Sequence, residues 1–459
     1  MNNFKNISNE QKIYELSLIW REAEYNFAFW NDFDKSFDWD KEYKIALDRV
    51  LKTESLYEYY KELMKFISLL KDGHTDVWFP KEIYESKDYF SCLPIYIEYI
   101  DNKYVITNMD ITLKEKIPRY SFIKNINEIN IDEYIEKNIY PYIWHEKKDS
   151  CADQVIVFLL RGKEGSVEKF VISDGTKDYK VELERKFSLA NYAYEKENLK
   201  HEDVNTLFSS KSHSIKFTKD SIAIITIDSM MNDELPIEIF NNYKLLNKAN
   251  GYIIDIRNNS GGNSQNADSV ASLFIGNTFN NDFALHPIHI GVYKALGKFN
   301  NLNKMSEEEF KTKYKDNKNY EFYEKMYKIC NHDFYEDRDH KTFINNVPGK
   351  LDGTIVILSS CKTASAAENF INVMRYNSNA VIMGSASYGS TGQPLVFDLE
   401  SGGGFRICTR KSLALDGSSF INKGFIPDIE CSLSIEDYKN SIDSVMNNAL
   451  SFIRNKISE

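Results

Sequence analysis

Gly353-Thr-Ile-Val-Ile-Leu-Ser-Ser-Cys-Lys-Thr-Ala-Ser-Ala-Ala-Glu-Asn-Phe-Ile-Asn-Val-Met-Arg375 reads as a buried strand that runs directly into a helix. Ile355 to Leu358 is an apolar, β-branched run too short for a buried helix, whereas Ala366, Ala367, Phe370, Ile371 and Met374 recur at helical spacing. Ser365 lies between the two. A serine at such a turn has its hydroxyl at the positive end of a helix, near free backbone N–H groups that can stabilise a developing oxyanion. The same residues also spell a capping box, Ser365-Ala-Ala-Glu368, in which the serine caps the helix and the glutamate reaches back. Taken alone the segment favours the cap, because helix caps far outnumber nucleophiles.

A second unit of the same form lies upstream. Gly251-Tyr-Ile-Ile-Asp-Ile-Arg257 is a buried strand that enters Asn258-Asn-Ser-Gly-Gly-Asn263 and a helix from about Ser264 to Phe274. Two such units predict neighbouring strands that deliver their carboxyl ends to one crevice. Gly261 and Gly262 can bring a backbone amide close to a ligand, though they equally suit a plain tight turn before a helix. Neither GxGxxG nor GxxxxGK[ST] is present, so this is not a phosphate loop.

Towards the N-terminus, residues 9 to 71 predict three helices, Glu10 to Trp30, Trp39 to Thr53 and Ser55 to Leu70, each with apolar residues at three- and four-residue spacing. Gly73 is expected to stop the third, before a strand around Asp76-Val-Trp-Phe79. His74 therefore sits at a junction suited to projecting a side chain into a cleft, although a surface or capping histidine has the same local pattern. Asp72 and Asp76 permit a metal reading, but no third ligand stands at metal spacing. From Cys92 to Arg185 short strands, including Gln154 to Leu160, and one short helix predict a small mixed α+β domain. Residues 293–345 form a charged insertion read as an elaboration or lid, with His286, His289, His332 and His340 in or near it and without catalytic context. A helix from Ser434 to Lys456 is expected to close the chain.

Composition bounds the function. A chain of 459 residues exceeds one ordinary core, and 42% hydrophobic content with 29 Phe and 29 Tyr marks it as folded. A net charge of -11, with both signs interspersed, argues against nucleic acid as a partner. Six cysteines without a CxxC pair indicate neither a zinc site nor a disulfide framework, and a reducing compartment fits best. Cys361 is an alternative nucleophile, or else a buried inert thiol. No signal-peptide core and no membrane-spanning segment stand in the sequence, so a cytoplasmic protein is expected as written, or an extracytoplasmic one if a leader was removed, with no cofactor and no metal.

Asp255-Ile-Arg-Asn-Asn-Ser-Gly-Gly262, Thr363-Ala-Ser-Ala-Ala-Glu368, Gly384-Ser-Ala-Ser-Tyr-Gly-Ser390 and Gly424-Phe-Ile-Pro-Asp428, in that order, resemble the motifs of C-terminal processing (tail-specific) serine peptidases, a family with tricorn-like and retinoid-binding-repeat branches. The resemblance runs over roughly residues 55 to 430. It implies an α/β fold with a crotonase-like ββα-spiral core over 191–459, an N-terminal helical domain over 1–80 and an inserted PDZ-like α+β domain over 81–190. It further implies a serine endopeptidase acting on a peptide or protein through an acyl-enzyme, with Ser365 as nucleophile and the N–H groups of Gly261 and Ala366 as oxyanion hole.

The Ser-Lys branch carries its base as a lysine in the loop after the nucleophile, where this chain reads Ser387-Tyr-Gly-Ser390. The tricorn-like branch uses a histidine ahead of the PDZ-like domain, which the Asp72-Gly-His-Thr75 segment resembles, so His74 is the implied base. Gly73 and Asn422-Lys423 stand where that branch completes its tetrad with serine and glutamate, which leaves the group orienting His74 unassigned. The PDZ-like region also lacks the usual Gly-Leu-x-x-Gly-Asp phrase. The rival reading is a catalytically inactive ligand-binding module on the same fold. Acyl-CoA chemistry would need a basic cluster near the Gly-Gly turn, and none is there.

Overall fold

The computed structural model describes residues 7–187, 192–195, 199–202, 204–281, 283–287, 291–333, 335–338 and 342–458. Its centre is a seven-stranded sheet in the order Asn205–Ser209, His213–Phe217, Ile222–Ile227, Gly251–Asp255, Thr354–Ser359, Val381–Gly384, Ile429–Glu430. The first two strands are antiparallel to their neighbours, and from Ile222–Ile227 onward every pairing is parallel. The two strand–turn–helix units lie side by side, in register from Gly251↔Thr354 to Asp255↔Leu358.

Both faces of these strands are covered, which is why they read as continuous apolar runs rather than alternating ones. Tyr252, Ile254, Ile355 and Ile357 point to the side packed by the helices Ser264–Ile275 and Ala366–Asn377. Ile253, Val356 and Leu358, the alternate positions, meet Val445, Met446, Ala449, Leu450 and Ile453 of the closing helix Ser444–Ser458. That helix is separate from a shorter one, Ile435–Asn440, because Ser441 adopts a left-handed conformation (φ 53) between them where one continuous helix was expected.

The N-terminal helices are Asn9–Asn26, Trp39–Val50 and Leu56–Ile67. The last ends not at Gly73 but at Lys71, which takes the left-handed cap position (φ 54) after a 3-10 turn. Gly73 is instead required by close approach, since a Cβ there would sit 3.0 Å from Ser390 Cβ and from the Tyr388 ring. Leu16, Ile19, Tyr59, Leu63 and Phe66 share one continuous core with Phe405, Ile407 and the central sheet. Buried Glu15 clamps the junction, accepting from the Tyr59 hydroxyl (3.0 Å) and from the Ser401 N–H (2.8 Å) and hydroxyl (2.7 Å).

Residues 93–183 enclose a core of their own around a sheet that includes Ile95–Ile100, Lys103–Met109, Phe122–Ile126, Val167–Ser173 and Asp178–Glu184. The segment expected as the strand Gln154 to Leu160 is the helix Ala152–Leu160. Its β-branched residues suggest a strand, but Ala152, Val155 and Leu159 fall at helical spacing and are buried together, so packing overrides propensity. The charged insertion contains the helices Gly291–Phe299, Glu307–Tyr314 and Tyr320–Cys330 with a small cluster around Phe310 and Met326. His289 and His340 lie outside the described residues.

Candidate active site

Ser365 is the residue before the helix Ala366–Asn377 and has φ 55 and ψ −121, a conformation that side-chain-bearing residues rarely adopt. Ser365 and Glu368 stand in a capping-box arrangement, but the hydroxyl caps no N–H at hydrogen-bond geometry; the Glu368 and Asn369 N–H groups bond the Ser365 carbonyl instead, at 2.8 and 3.0 Å. Ser365 itself is half-buried at the turn. The neighbouring N–H, that of Ala366, makes no backbone hydrogen bond among the described residues.

The glycine turn lies directly against this serine. Gly261 has φ +104, and a Cβ on it would fall 2.6 Å from Ser365 Cβ, 2.8 Å from the Ala364 carbonyl oxygen and 3.0 Å from the Ala366 nitrogen. Only glycine fits both the backbone conformation and the space. The Gly261 N–H, however, donates to Asn259 Oδ1 at 2.8 Å, so the donor expected to face an oxyanion is engaged within its own turn. The N–H of Gly262 (φ +142) carries no hydrogen bond among the described residues, and Gly262 is exposed.

His74 arrives from the opposite side of the sequence. The strand Asp76–Trp78 pairs antiparallel with Gly404–Cys408, which anchors the Asp72–Thr75 turn to the core. His74 Nδ1 lies 2.5 Å from the Ser390 hydroxyl, and the Ser390 carbonyl accepts from the Ser365 N–H at 3.2 Å. One residue, Ser390, therefore touches both the ring and the backbone of the serine turn. Nε2 makes no hydrogen bond among the described residues. Burial, reinforced by the Arg406 guanidinium, lowers the pKa of the ring to about 3, so the imidazole is neutral at physiological pH.

Two buried carboxyl groups organise this meeting point, and the sequence reading gave neither a role there. Asp72 accepts from the Thr75 hydroxyl at 2.6 Å and the His74 N–H at 3.2 Å through Oδ2, and from the Ser390 hydroxyl at 3.5 Å through Oδ1. Burial raises its pKa to about 6 against the pull of those donors and of Arg406. Glu368 accepts from the Ser387 hydroxyl (2.6 Å), the Gly389 N–H (2.7 Å), the Ser390 N–H (3.1 Å) and the Ser365 N–H (3.3 Å). Burial raises it to about 7. The Ser-x-x-Glu spacing was the signal for Glu368, although it pointed to a cap rather than to a tie between two loops.

Other expectations fall away from this point. Cys361 is held as a thiol, its pKa pushed up to about 11 by burial, and is a poor rival nucleophile. Asn422, where the sequence resemblance looks for a glutamate, accepts from Trp144 Nε1 at 3.0 Å and donates to the Lys71 carbonyl at 3.2 Å. Among the described residues no three His, Cys, Asp or Glu side chains form a group able to hold a metal, and no helix is long and apolar enough to cross a membrane. A cavity of about 430 Å³ lined by Lys350, Asp352 and Tyr376, among others, lies at the opposite ends of the strands, away from these groups.

Residues 221–431 match the family model for peptidase family S41. No curated protein matches the sequence significantly. Among solved structures the chain is similar to mature CPAF complexed with lactacystin, at 13% identity and a TM-score of 0.69, over 97% of this chain and 99% of that one. Mature CPAF is matched at 12% identity and a TM-score of 0.68, over 97% and 98%. A candidate peptidase from Parabacteroides merdae is matched at 16% identity and a TM-score of 0.53, over 98% and 97%. At such identities the likeness is one of fold.

Proposed function

From the premise that the chain belongs to peptidase family S41 through its residues 221–431, we propose that it is a serine peptidase in which Ser365 attacks the peptide carbonyl and His74 is the general base. The architecture we assign to it is a crotonase-like spiral core over 191–459 with the charged insertion 293–345, a helical region over 1–80 and a PDZ-like insert over 81–190. The substrate is a peptide or protein. Because the core of 93–183 is separate from that of the sheet, the insert is read as a unit of its own.

The observation that carries the reading is the convergence on Ser390, whose hydroxyl meets His74 Nδ1 while its carbonyl holds the Ser365 N–H. A serine hydroxyl is a poor nucleophile until a neighbouring base takes its proton. With Nδ1 engaged, Nε2 is the nitrogen left to accept that proton and to return it to the leaving amine. The tetrahedral oxyanion receives the Ala366 N–H and a second donor from the glycine turn. That second donor is Gly261 once its N–H leaves Asn259, or Gly262 as it stands. The resting Gly261–Asn259 bond is the one observation that favours the rival, non-catalytic module.

A fluorophosphonate probe separates the two. Labelling is expected on Ser365, absent in Ser365→Ala and slowed at least about 1,000-fold in His74→Ala, because nucleophile and base act as a unit. Absence of labelling in the intact chain, with no hydrolysis of an unstructured protein such as casein, would leave only the binding module.

A further inference from the structure

His74 as a base needs something to fix its ring, and neither position of the tricorn-like tetrad supplies it, since Gly73 and Asn422 stand there. We propose that Ser390 and Asp72 are the positioning residues: the Ser390 hydroxyl links His74 Nδ1 to the Asp72 carboxylate and so holds the imidazole in the tautomer that leaves Nε2 open to the Ser365 proton. The inference rests on His74 being the base of the peptidase proposed above.

The argument is one of proton counting. A serine hydroxyl has one proton and can donate it to only one of its two neighbours. An ionised carboxylate only accepts, so with Asp72 charged the Ser390 O–H turns to Oδ1 and its lone pair receives the proton on His74 Nδ1. Nε2 then carries a lone pair. When the Ser365 proton moves to Nε2, the ring becomes imidazolium, its Nδ1–H still on Ser390, and the Asp72 charge lies one hydroxyl away to stabilise it. The proton then passes from Nε2 to the leaving amine, and no other group changes protonation.

With Asp72 protonated, the carboxyl can donate to Ser390, whose own proton turns to Nδ1. The neutral ring must then carry its proton on Nε2, the wrong side for a base. The chain of bonds thus has a direction, and Asp72 sets it. The Asp72–Ser390 arm, at 3.5 Å, is long in the resting state, as catalytic hydrogen bonds often are before substrate binds.

The relay is held from several sides. The Ser390 N–H is fixed on Glu368, and Gly73 leaves room for Ser390 against the turn that bears the histidine. Around Asp72 stand the Thr75 hydroxyl, Arg406 paired with Asp76 at 2.8 Å, the Tyr388 phenol and the buried Cys408 thiol. Burial places the carboxyl near 6, so its titration falls where it can be followed, while the ring itself stays neutral well below that pH.

The test uses the full chain with 15N-labelled histidine, the His74 signal being identified by its loss in His74→Ala. At pH 8 the unmodified chain is expected to show the Nδ1–H tautomer, passing to Nε2–H as the pH falls through about 6. Asp72→Asn, whose amide can donate to Ser390 as well as accept from it, is expected to lose the preference for Nδ1–H at pH 8. It is also expected to label with a fluorophosphonate at least about 100-fold more slowly, on the scale of other wrong-tautomer variants, and to lose the acid limb of the labelling profile. Ser390→Ala is expected to slow labelling about 10- to 100-fold with a mixture of tautomers, as loss of a group that orients a histidine does. An Nε2–H ring in the unmodified chain at pH 8, or an unchanged tautomer and acid limb in Asp72→Asn, overturns the relay. The measurement on the unmodified chain needs no variant to fold. If Ser365 never labels while the tautomer behaves as described, the peptidase reading fails and the relay stands as geometry.

Discussion

The two strand–turn–helix units of the core are built alike and end differently. Their strands run parallel in register, and their helices pack on one another over the same face of the sheet. One turn reaches its left-handed conformations with Gly261 and Gly262, for which they are nearly free, and the other reaches φ 55 with a serine. Such strain costs on the order of 1–3 kcal/mol and persists only where the surroundings over-determine it. Here the Ser365 N–H is met by the Ser390 carbonyl and the Glu368 carboxylate. The difference teaches that the glycine turn is shaped for close approach, whereas the serine turn is shaped for a side chain that the backbone would rather do without.

That contrast can be broken from the glycine side. Gly261→Ala puts a methyl group 2.6 Å from Ser365 Cβ and 2.8 Å from a carbonyl oxygen, on a backbone that disfavours it. We expect at least about 1,000-fold slower labelling of Ser365 and a loss of about 3–4 kcal/mol in urea unfolding, the range for strain and overpacking combined. Next in size, Glu368→Ala leaves three backbone N–H groups and the Ser387 hydroxyl without their shared acceptor and opens a cavity. A loss of about 3 kcal/mol is expected, with labelling slowed because both loops loosen. Retained stability would show that Glu368 does not hold the strained turn.

Ser365→Gly and Ser365→Ala sharpen the comparison. Both are expected to abolish labelling, but glycine relieves the backbone and alanine does not, so the glycine variant should be more stable than the alanine variant by about 1–2 kcal/mol. Equal unfolding midpoints would mean that the turn is not strained.

A pH dependence follows from the two carboxyl groups. Both have folded pKa values above the ordinary ones of 3.8 and 4.5, so the stability they contribute is complete at acid pH and is lost as the pH rises through about 6 for Asp72 and about 7 for Glu368. His74 has the opposite sign, its lowered pKa contributing stability that is present above 6.5 and lost as the pH falls towards 3. Of these three groups the carboxyls dominate the change between pH 6.5 and 8, downward, by at most about 1.4 kcal/mol per pH unit for each group. Unfolding midpoints for Glu368→Gln should be flatter over that interval than for the unmodified chain. The smallest effect is expected at Lys362, whose 3.1 Å pair with Asp153 joins the core to the insert at an exposed site; Lys362→Ala should change stability by less than about 1 kcal/mol.

Much of the core was legible because its signals are local. Ile253–Ile254 and Val356–Ile357 announce buried parallel strands, and a glycine pair or a small-residue turn announces the helix that follows. What was not legible is what contact alone decides. Ser390 stands in a Ser- and Gly-rich loop with no pattern of its own, and its meeting with His74 spans 316 positions of sequence. Asp72 carries only a metal reading in the sequence, and a sheet pairing takes it inside. Gly73 was read as a helix stop, although the reason for its small size is Ser390, on the far side of the core. Gln154 to Leu160 misled because Val155, Ile156 and Val157 favour a strand until a neighbouring core claims one side of a helix.

The continuity of the core across the first helices has a practical meaning for anyone cutting this protein into parts. The chain enters and leaves the 93–183 unit at adjacent points, Cys92 bridging Lys186, but Trp144 of that unit stacks on Tyr388 and the Ser150 hydroxyl donates to the Tyr388 carbonyl at 3.0 Å, so removing it would strip a support from the Ser390 loop. The opening helices are tied in more deeply still. Leu16, Tyr59 and Phe66 are the wall against which the sheet's own residues close, and the turn bearing His74 hangs from that wall. A fragment beginning after residue 80 would lose its imidazole and the interior of its fold in the same stroke, so truncation cannot separate chemistry from architecture here.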